Sequence, residues 1–429
     1  MYQGRGDFDR APRVDGSTKR ASLLPYGVAH FGKSQFWHSS ELVFAFFLTE
    51  RAGVPVAWMG AVLAGGLALS ATIDLVVGWH LRGASFTLAR ACRLQLVGAC
   101  ASAAAITPLF AADLLPDTWR LAWTALFAIA FRLAYALYDI PQNATLSLAT
   151  RDGDERARLS AFRLFFSGLA SITVATVLAW LLGAANGSGR FALAALAMST
   201  IAIATAWRLA RLRPRASTAD SSSARRPAAA GLIGPVSLLL LMFVLSLAIS
   251  GFSKLEPYYV SYHWQGRGGT IIIAASLGFA FLQPLWFVAI RRLGFLATLC
   301  VAITLLAAAA LGFTLSEATG YYSQAGFAFA FGAANGGIST TLWASFAEAV
   351  SARRSTATAF AFALLTATSK FGLAAASLAI AAWLSVVHYR VADAGLDAVM
   401  AGFAMFGAVV SLAILALSFA RNRKGSSAT

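Results

Sequence analysis

Apolar windows of roughly 20 residues, the length a helix needs to cross a bilayer, recur along this whole chain and dictate what it can fold into. Twelve spans are expected, at 24–48, 54–79, 93–115, 118–148, 159–185, 189–209, 231–263, 269–290, 294–315, 321–350, 356–386 and 396–420. Of the 429 residues 59% are hydrophobic and 12% charged, the composition of a polytopic membrane protein. The chain reads as an all-α membrane protein, because backbone exposed to lipid must satisfy its hydrogen bonds inside each helix.

Lys and Arg fall unevenly on the two sides of these spans. If the amino terminus is cytoplasmic, that side holds Arg82, Arg90, Arg93, Arg151, Arg156, Arg158, Arg291, Arg292, Arg353 and Arg354, besides the basic tails and linker. The other side holds Arg51, Arg120, Arg190, Arg267 and Arg390. By the positive-inside rule both termini are cytoplasmic, and a plasma membrane, the bacterial inner membrane, is the expected location. Topology and anionic headgroups then account for the net charge of +16. No basic patch interleaved with aromatics points to nucleic acid. Cys92, Cys100 and Cys300 lack metal-ligand spacing and imply no disulfide framework. Without a phosphate loop, a metal-binding His pair or a nucleophile set, no enzyme, metal or cofactor is expected.

Residues 1–22 carry charges of both signs and no apolar core, so they read as a cytoplasmic tail rather than a signal peptide. The composition breaks once more, at the polar and basic stretch from Arg211 to Pro227. The expected layout is therefore a six-helix bundle at 23–209, a cytoplasmic linker at 210–230, a second six-helix bundle at 231–421 and a tail at 422–429. Twelve transmembrane helices in two six-helix bundles are the layout of the major facilitator fold, whose halves rock around a midplane site.

Several spans carry polar stripes that lipid would not tolerate. In span one His30, Lys33, Ser34, Trp37, His38 and Glu41 recur at i, i+3, i+4, i+7, i+8 and i+11, one face of a helix. That face lines a cavity or forms a polar seam between helices. In span two Ser70 lies one turn before Asp74. Span four aligns Arg132, Tyr135, Asp139 and Asn143, and Asp139 could instead pair with Arg132 or Arg163. Span seven has Lys254 and Glu256 on different faces beside Pro257, with Tyr258, Tyr259 and Tyr262, and suits solute recognition or a structural charge pair equally. Span ten combines Gly332, Asn335, Gly336 and Gly337 with Glu348 near its cytoplasmic end. The turn from Asp152 to Arg156 suits helix capping and a surface ion-pair latch.

Asp139-Ile140-Pro141, then Thr150, Glu155-Arg156, Leu159 and Arg163, resemble the signature of the glycoside-pentoside-hexuronide:cation symporter family, the melibiose permease-like branch of the major facilitator superfamily. Two more segments are similar in order and placement, Tyr26 to Ser34 and Ser369-Lys370-Phe371-Gly372. The resemblance implies solute contacts from Asp139, Tyr135, Asn143 and Tyr259, to which the stripes add Lys33, Trp37, Lys254 and Glu256. It implies cation coupling around Asp74, Ser34, Ser70 and Lys370, with Glu41 beside them, and gating by Glu155, Arg156, Arg163 and Glu348. The family's position matching Asn143 bears a Trp, and those matching Ser34 and Ser70 bear Asp. Losing two carboxylates removes ligands that sodium needs and favours a proton at Asp74, unless Asp74 is the permanent partner of Lys370.

The expected function is secondary transport of a small polar organic solute, a sugar or glycoside, by alternating access with cation coupling. Its expected partners are that solute, the coupling cation and the lipid bilayer. An uncoupled facilitator or exporter of an amphipathic or lipid-like solute, and a non-transporting scaffold or sensor, are the alternatives.

Overall fold

The computed structural model describes residues 17–80, 87–148, 153–183, 187–212, 233–352, 358–392 and 394–426. Side chains are described for these except at 17–23, 146–148, 153–158, 160, 161, 351, 352, 358, 359 and 421–426. Every regular element among the described residues is helical. Helix α1 (Ser17–Leu42) continues through Phe44–Phe46 into a π turn at Phe47–Arg51. It is followed by α2 (Val56–His80), α3 (Leu88–Leu109), α4 (Asp117–Leu148), α5 (Gly153–Gly183), α6 (Arg190–Leu212) and α7 (Pro235–Tyr262). Helix α8 starts as Gly269–Phe281 and resumes at Gln283. The stretch Gln283–Leu315 breaks at Gly294, whose φ of 79° is open to glycine but foreign to a helix. Residues 295–315 thus form α9, and α10 (Tyr321–Ala352), α11 (Thr358–Val386) and α12 (Leu396–Ser426) complete the chain.

Nine helices among the described residues are long and apolar enough to cross a membrane. The crossings outside that group have identifiable causes. Lys33 and Glu41 dilute α1, Gly269–Phe281 is short until Gln283 extends it, and α10 is interrupted by Gly, Ser, Thr and Asn. Two expectations about the ends differ. Helix α1 begins at Ser17, inside the stretch read as a tail, and α12 runs on to Ser426. A helix can outlast its apolar span once it reaches water. Pro141 and Pro257 lie inside continuous helices, so neither breaks its span.

Packing repeats with a period of six helices. In the first set α1 packs on α5 and α6, α3 on α4 and α6, and α2 on α4. In the second α7 packs on α11 and α12, α9 on α10 and α12, and α8 on α10. Contacts of α2 with α11 and of α5 with α8 join the sets. This is the expected major facilitator arrangement, and with an even number of crossings both termini lie at one end, here the terminal end; the other is the far end.

Close helix crossings depend on glycine. A Cβ on Gly278 would stand 1.9 Å from the Phe329 carbonyl oxygen, and one on Gly332 would stand 1.8 Å from that of Ala275. Overpacking of this kind costs about 1–3 kcal/mol. Gly278→Ala is therefore expected to lower the thermal midpoint of the purified protein. Gly402→Ala, which meets nothing within 4 Å, leaves it unchanged; equal midpoints would contradict the close α8–α10 crossing.

Candidate functional site

Between the two sets lies a cavity of about 370 Å³ walled by α1, α4, α5, α7, α8, α10 and α11. The α1 stripe faces it, since Lys33, Ser34, Trp37 and Glu41 all line the wall. So do Tyr135, Asp139 and Asn143 of α4, Arg163 of α5, Glu256 of α7 and Lys370 of α11. The helical spacing read from the sequence thus brings solute candidates from both sets to one space.

Its charges are held in specific pairs. Lys33 Nζ lies 2.5 Å from Asp139 Oδ1 and donates to Asn143 Oδ1 at 3.2 Å. Trp37 and Tyr135 stack beside this group, with ring centroids 6.1 Å apart and planes inclined by 27°. Glu41 binds two cations, accepting from Arg132 Nη2 at 3.1 Å through Oε1 and from Lys254 Nζ at 2.8 Å through Oε2. Arg132 and Lys254 are 2% and 1% exposed, so neither has water as a substitute partner. One carboxylate therefore ties α1 to α4 in its own set and to α7 in the other.

Asp139 pairs with Lys33, not with Arg132 or Arg163 as the spacing allowed. Arg163 Nε instead donates to His30 Nε2 at 3.4 Å, and its guanidinium lies 5.9 Å from the Trp343 ring centroid. His30 Nδ1 is 3.0 Å from Gln142 Oε1, Gln142 donates to Gln95, and Gln95 donates to the Ala206 carbonyl. This relay is consistent if His30 is neutral with its proton on Nδ1. Gln142 and Gln95 are buried ties that the polar stripes did not reveal, because Gln142 falls off the 132, 135, 139, 143 spacing and Gln95 lies in a span read without a stripe.

The proposed cation group is rearranged. Lys370 Nζ sits 2.7 Å from Asp74 Oδ2 and donates to Ser70 at 2.8 Å. Neither Asp74 oxygen has a well-aligned hydrogen bond, so charge rather than bond direction holds the pair. An ammonium already occupies the space against Ser70 and Asp74, whereas Ser34 and Glu41 lie on the cavity wall. Lys254 sits behind the wall. Tyr259 is also outside the cavity, hydrogen-bonded to Gln324 of α10 and stacked on His263, one turn beyond Glu256, the last α7 residue on the wall. Glu348 is half-buried and away from the cavity. The side chains of Glu155 and Arg156 lie outside the described ones, and Arg353 and Arg354 lie outside the described residues.

At the far end a second cluster joins the sets. Glu50, on the π turn, accepts from the Tyr262 hydroxyl, from the Tyr389 hydroxyl at 2.8 Å, and from Arg390 Nε and Nη2 at 3.1 and 3.3 Å. Thr49 and Tyr258 bond alongside at 2.8 Å. Such π turns often mark functional sites. Bonding to Glu50 pushes the Arg390 guanidinium above its ordinary pKa, and burial does the same to the Tyr389 phenol. Both donors hence keep their protons throughout the physiological range. Sequence alone showed an acid beside Gly53 and Pro55 and no partner, since Tyr389 and Arg390 are more than 300 residues away.

Removing one member of a buried ion group costs about 3–5 kcal/mol. Glu41→Gln, which strands two cations, is expected to lower the thermal midpoint markedly, and adding Lys254→Met to restore part of it. A single variant as stable as wild type would contradict the triad.

Residues 25–421 match the MFS/sugar transport protein family. A relative from Synechocystis sp., an uncharacterized symporter, is 28% identical over 268 residues, 58% of this chain and 48% of its own length. The chain thus spans about half the length of that curated relative. Among solved structures it is similar to a proton dependent oligopeptide transporter (TM-score 0.70, 12% identity, 94% of this chain and 98% of that one). The nucleoside transporter NupG is similar as well (TM-score 0.59, 12% identity, 92% and 98%). At such identities these structures speak to the fold alone. With the match covering all but the ends of the sequence, the chain belongs to the MFS/sugar transport protein family, a family of transporters rather than enzymes.

Proposed function

We propose that this protein is a secondary transporter that carries a small polar organic solute, a sugar or glycoside, by alternating access coupled to a cation. The observation that carries this reading is the Lys33–Asp139–Asn143 group beside the stacked Trp37 and Tyr135, open to a cavity of about 370 Å³. That size suits a small molecule. A carboxylate with one oxygen on Lys33 keeps acceptor capacity for hydroxyl groups, Asn143 adds an amide, and the aromatic faces suit a sugar ring. The melibiose permease-like signature around Asp139 points the same way, and the symporter relative supports coupling. Asn143 stands where a stacking Trp is expected, so Trp37 and Tyr135 take over that role.

The ammonium of Lys370 against Asp74 and Ser70 argues against sodium there and for a proton as the coupling ion. The halves, 23–209 and 231–421, move as units about the linker, with Glu155, Arg156, Arg163 and Glu348 closing the terminal end. The distribution of Lys and Arg supports both termini being cytoplasmic in a bacterial inner membrane. The second reading is an uncoupled facilitator, favoured by the ammonium that already fills the space at Asp74.

Proteoliposome uptake of radiolabelled hexoses, pentoses, glycosides and hexuronides under an imposed pH gradient tests this. One of them is expected to accumulate above equilibrium. Asp139→Asn should reduce its uptake by roughly tenfold or more, the loss of a charge-assisted bond worth about 1.5–3 kcal/mol. Entry no faster than into protein-free liposomes for every sugar would overturn the solute class, and entry that stops at equilibrium would favour the facilitator.

A further inference from the structure

Glu256 is the one acid on the cavity wall without a partner among the described residues. It is 2% exposed, its Oε1 is buried with no hydrogen bond, and no ion pair reaches it. The other wall acids are both neutralised, Glu41 by Arg132 and Lys254 and Asp139 by Lys33. Asp74, behind the wall, has Lys370.

We propose that Glu256 is the carboxyl that takes up and releases the coupling proton, in place of Asp74. The inference rests on the reading of the protein as a proton-coupled transporter. A carboxylate buried with neither cation nor donor is strongly disfavoured, so in this state the group is the neutral acid. Asp74 has the opposite circumstances, an ammonium at 2.7 Å. Pro257 adds a local reason. It has no N–H to offer the Ser253 carbonyl one turn back, and Ser253 also lines the cavity, so an acceptor stands near a protonated Glu256.

The groups that could set its charge come from each element around α7. Helix α1 brings Lys33, His38 and Glu41, and the π turn beyond it Glu50; α4 brings Asp139, and Arg132 behind Glu41; α5 brings Arg163; α11 brings Lys370. On α7 itself Lys254 points to Glu41 and Ser250. Helices α8 and α10 line the cavity without a titratable side chain, and Asp397 is the one charged residue of α12 up to residue 420. None forms an ion pair with Glu256 among the described residues. Movement of α7 against α1 would change that. When the Lys254–Glu41 pair opens, a cation close to Glu256 loses its counter-ion, its field favours the Glu256 carboxylate, and the proton leaves to water in the cavity.

Infrared difference spectroscopy of the purified protein across a pH step reads this without any solute, so an ill-chosen sugar panel cannot mimic its failure. The carbonyl band of a protonated carboxylic acid is expected in wild type and in Asp74→Asn, and lost in Glu256→Gln. Persistence of the band in Glu256→Gln, its loss in Asp74→Asn, or its absence from wild type would overturn the assignment. Circular dichroism and gel filtration qualify each variant. Should Glu256→Gln fail to fold, Glu256→Asp must shift the band, and an unshifted band overturns the proposal equally.

Discussion

The carboxylate of Glu41, shared by Arg132 and Lys254, is the interaction on which the rest of the architecture depends. A charge inside a membrane span is tolerated only when it faces protein or a water-filled space and finds a partner. Arg132 and Lys254 come from helices in different halves, so satisfying them forces α4 and α7 to meet α1 at the cavity wall. The same rule places Lys33 on Asp139 and Lys370 on Asp74. Charge pairing thereby does two jobs here, making polar helices compatible with a bilayer and leaving a lined space between them.

Pairs that cross between halves are also what motion must exchange. Lys254–Glu41, Lys370–Asp74 and Arg390–Glu50 all do so, whereas Lys33–Asp139 stays within the first half. The pair that stays within one half is the one beside the aromatic platform, so in the proposed cycle a bound solute would keep its contacts while the halves move. The Glu50 cluster sits at the far end and is the densest polar tie there, with two hydroxyls and a guanidinium on one carboxylate. Glycine crossings between α8 and α10 add stiffness inside a half rather than between halves.

Much of the fold was legible because hydrophobic periodicity is local. The expected gap between residues 290 and 294 falls next to the break at Gly294, and the α1 stripe faces the cavity as its spacing demanded. Partnerships were not legible, because they join residues far apart. Lys33 and Asp139 are 106 positions apart and Glu41 and Lys254 are 213 apart, and helical spacing cannot choose among several bases. Tyr259 misled for the opposite reason. It lies one turn beyond Glu256, where the cavity wall has ended and its hydroxyl meets Gln324 of α10 instead. Glu50 was passed over because it lies at a span end, where an acid needs no explanation.

In the proposed alternating-access cycle the two ends of the molecule move in opposite senses, and the Glu50 cluster, which ties the halves at the far end, would bias them. Pulsed electron paramagnetic resonance distances test this directly, on protein whose Cys92, Cys100 and Cys300 have been replaced. One spin-label pair would report the far end, at Gly53 and Val391, and another the terminal end, at Phe165 and Ala349. With Glu50→Gln the account predicts a longer far-end distance together with a shorter terminal-end distance. Ends that change in the same sense, or a far end that stays closed without Glu50, would contradict it.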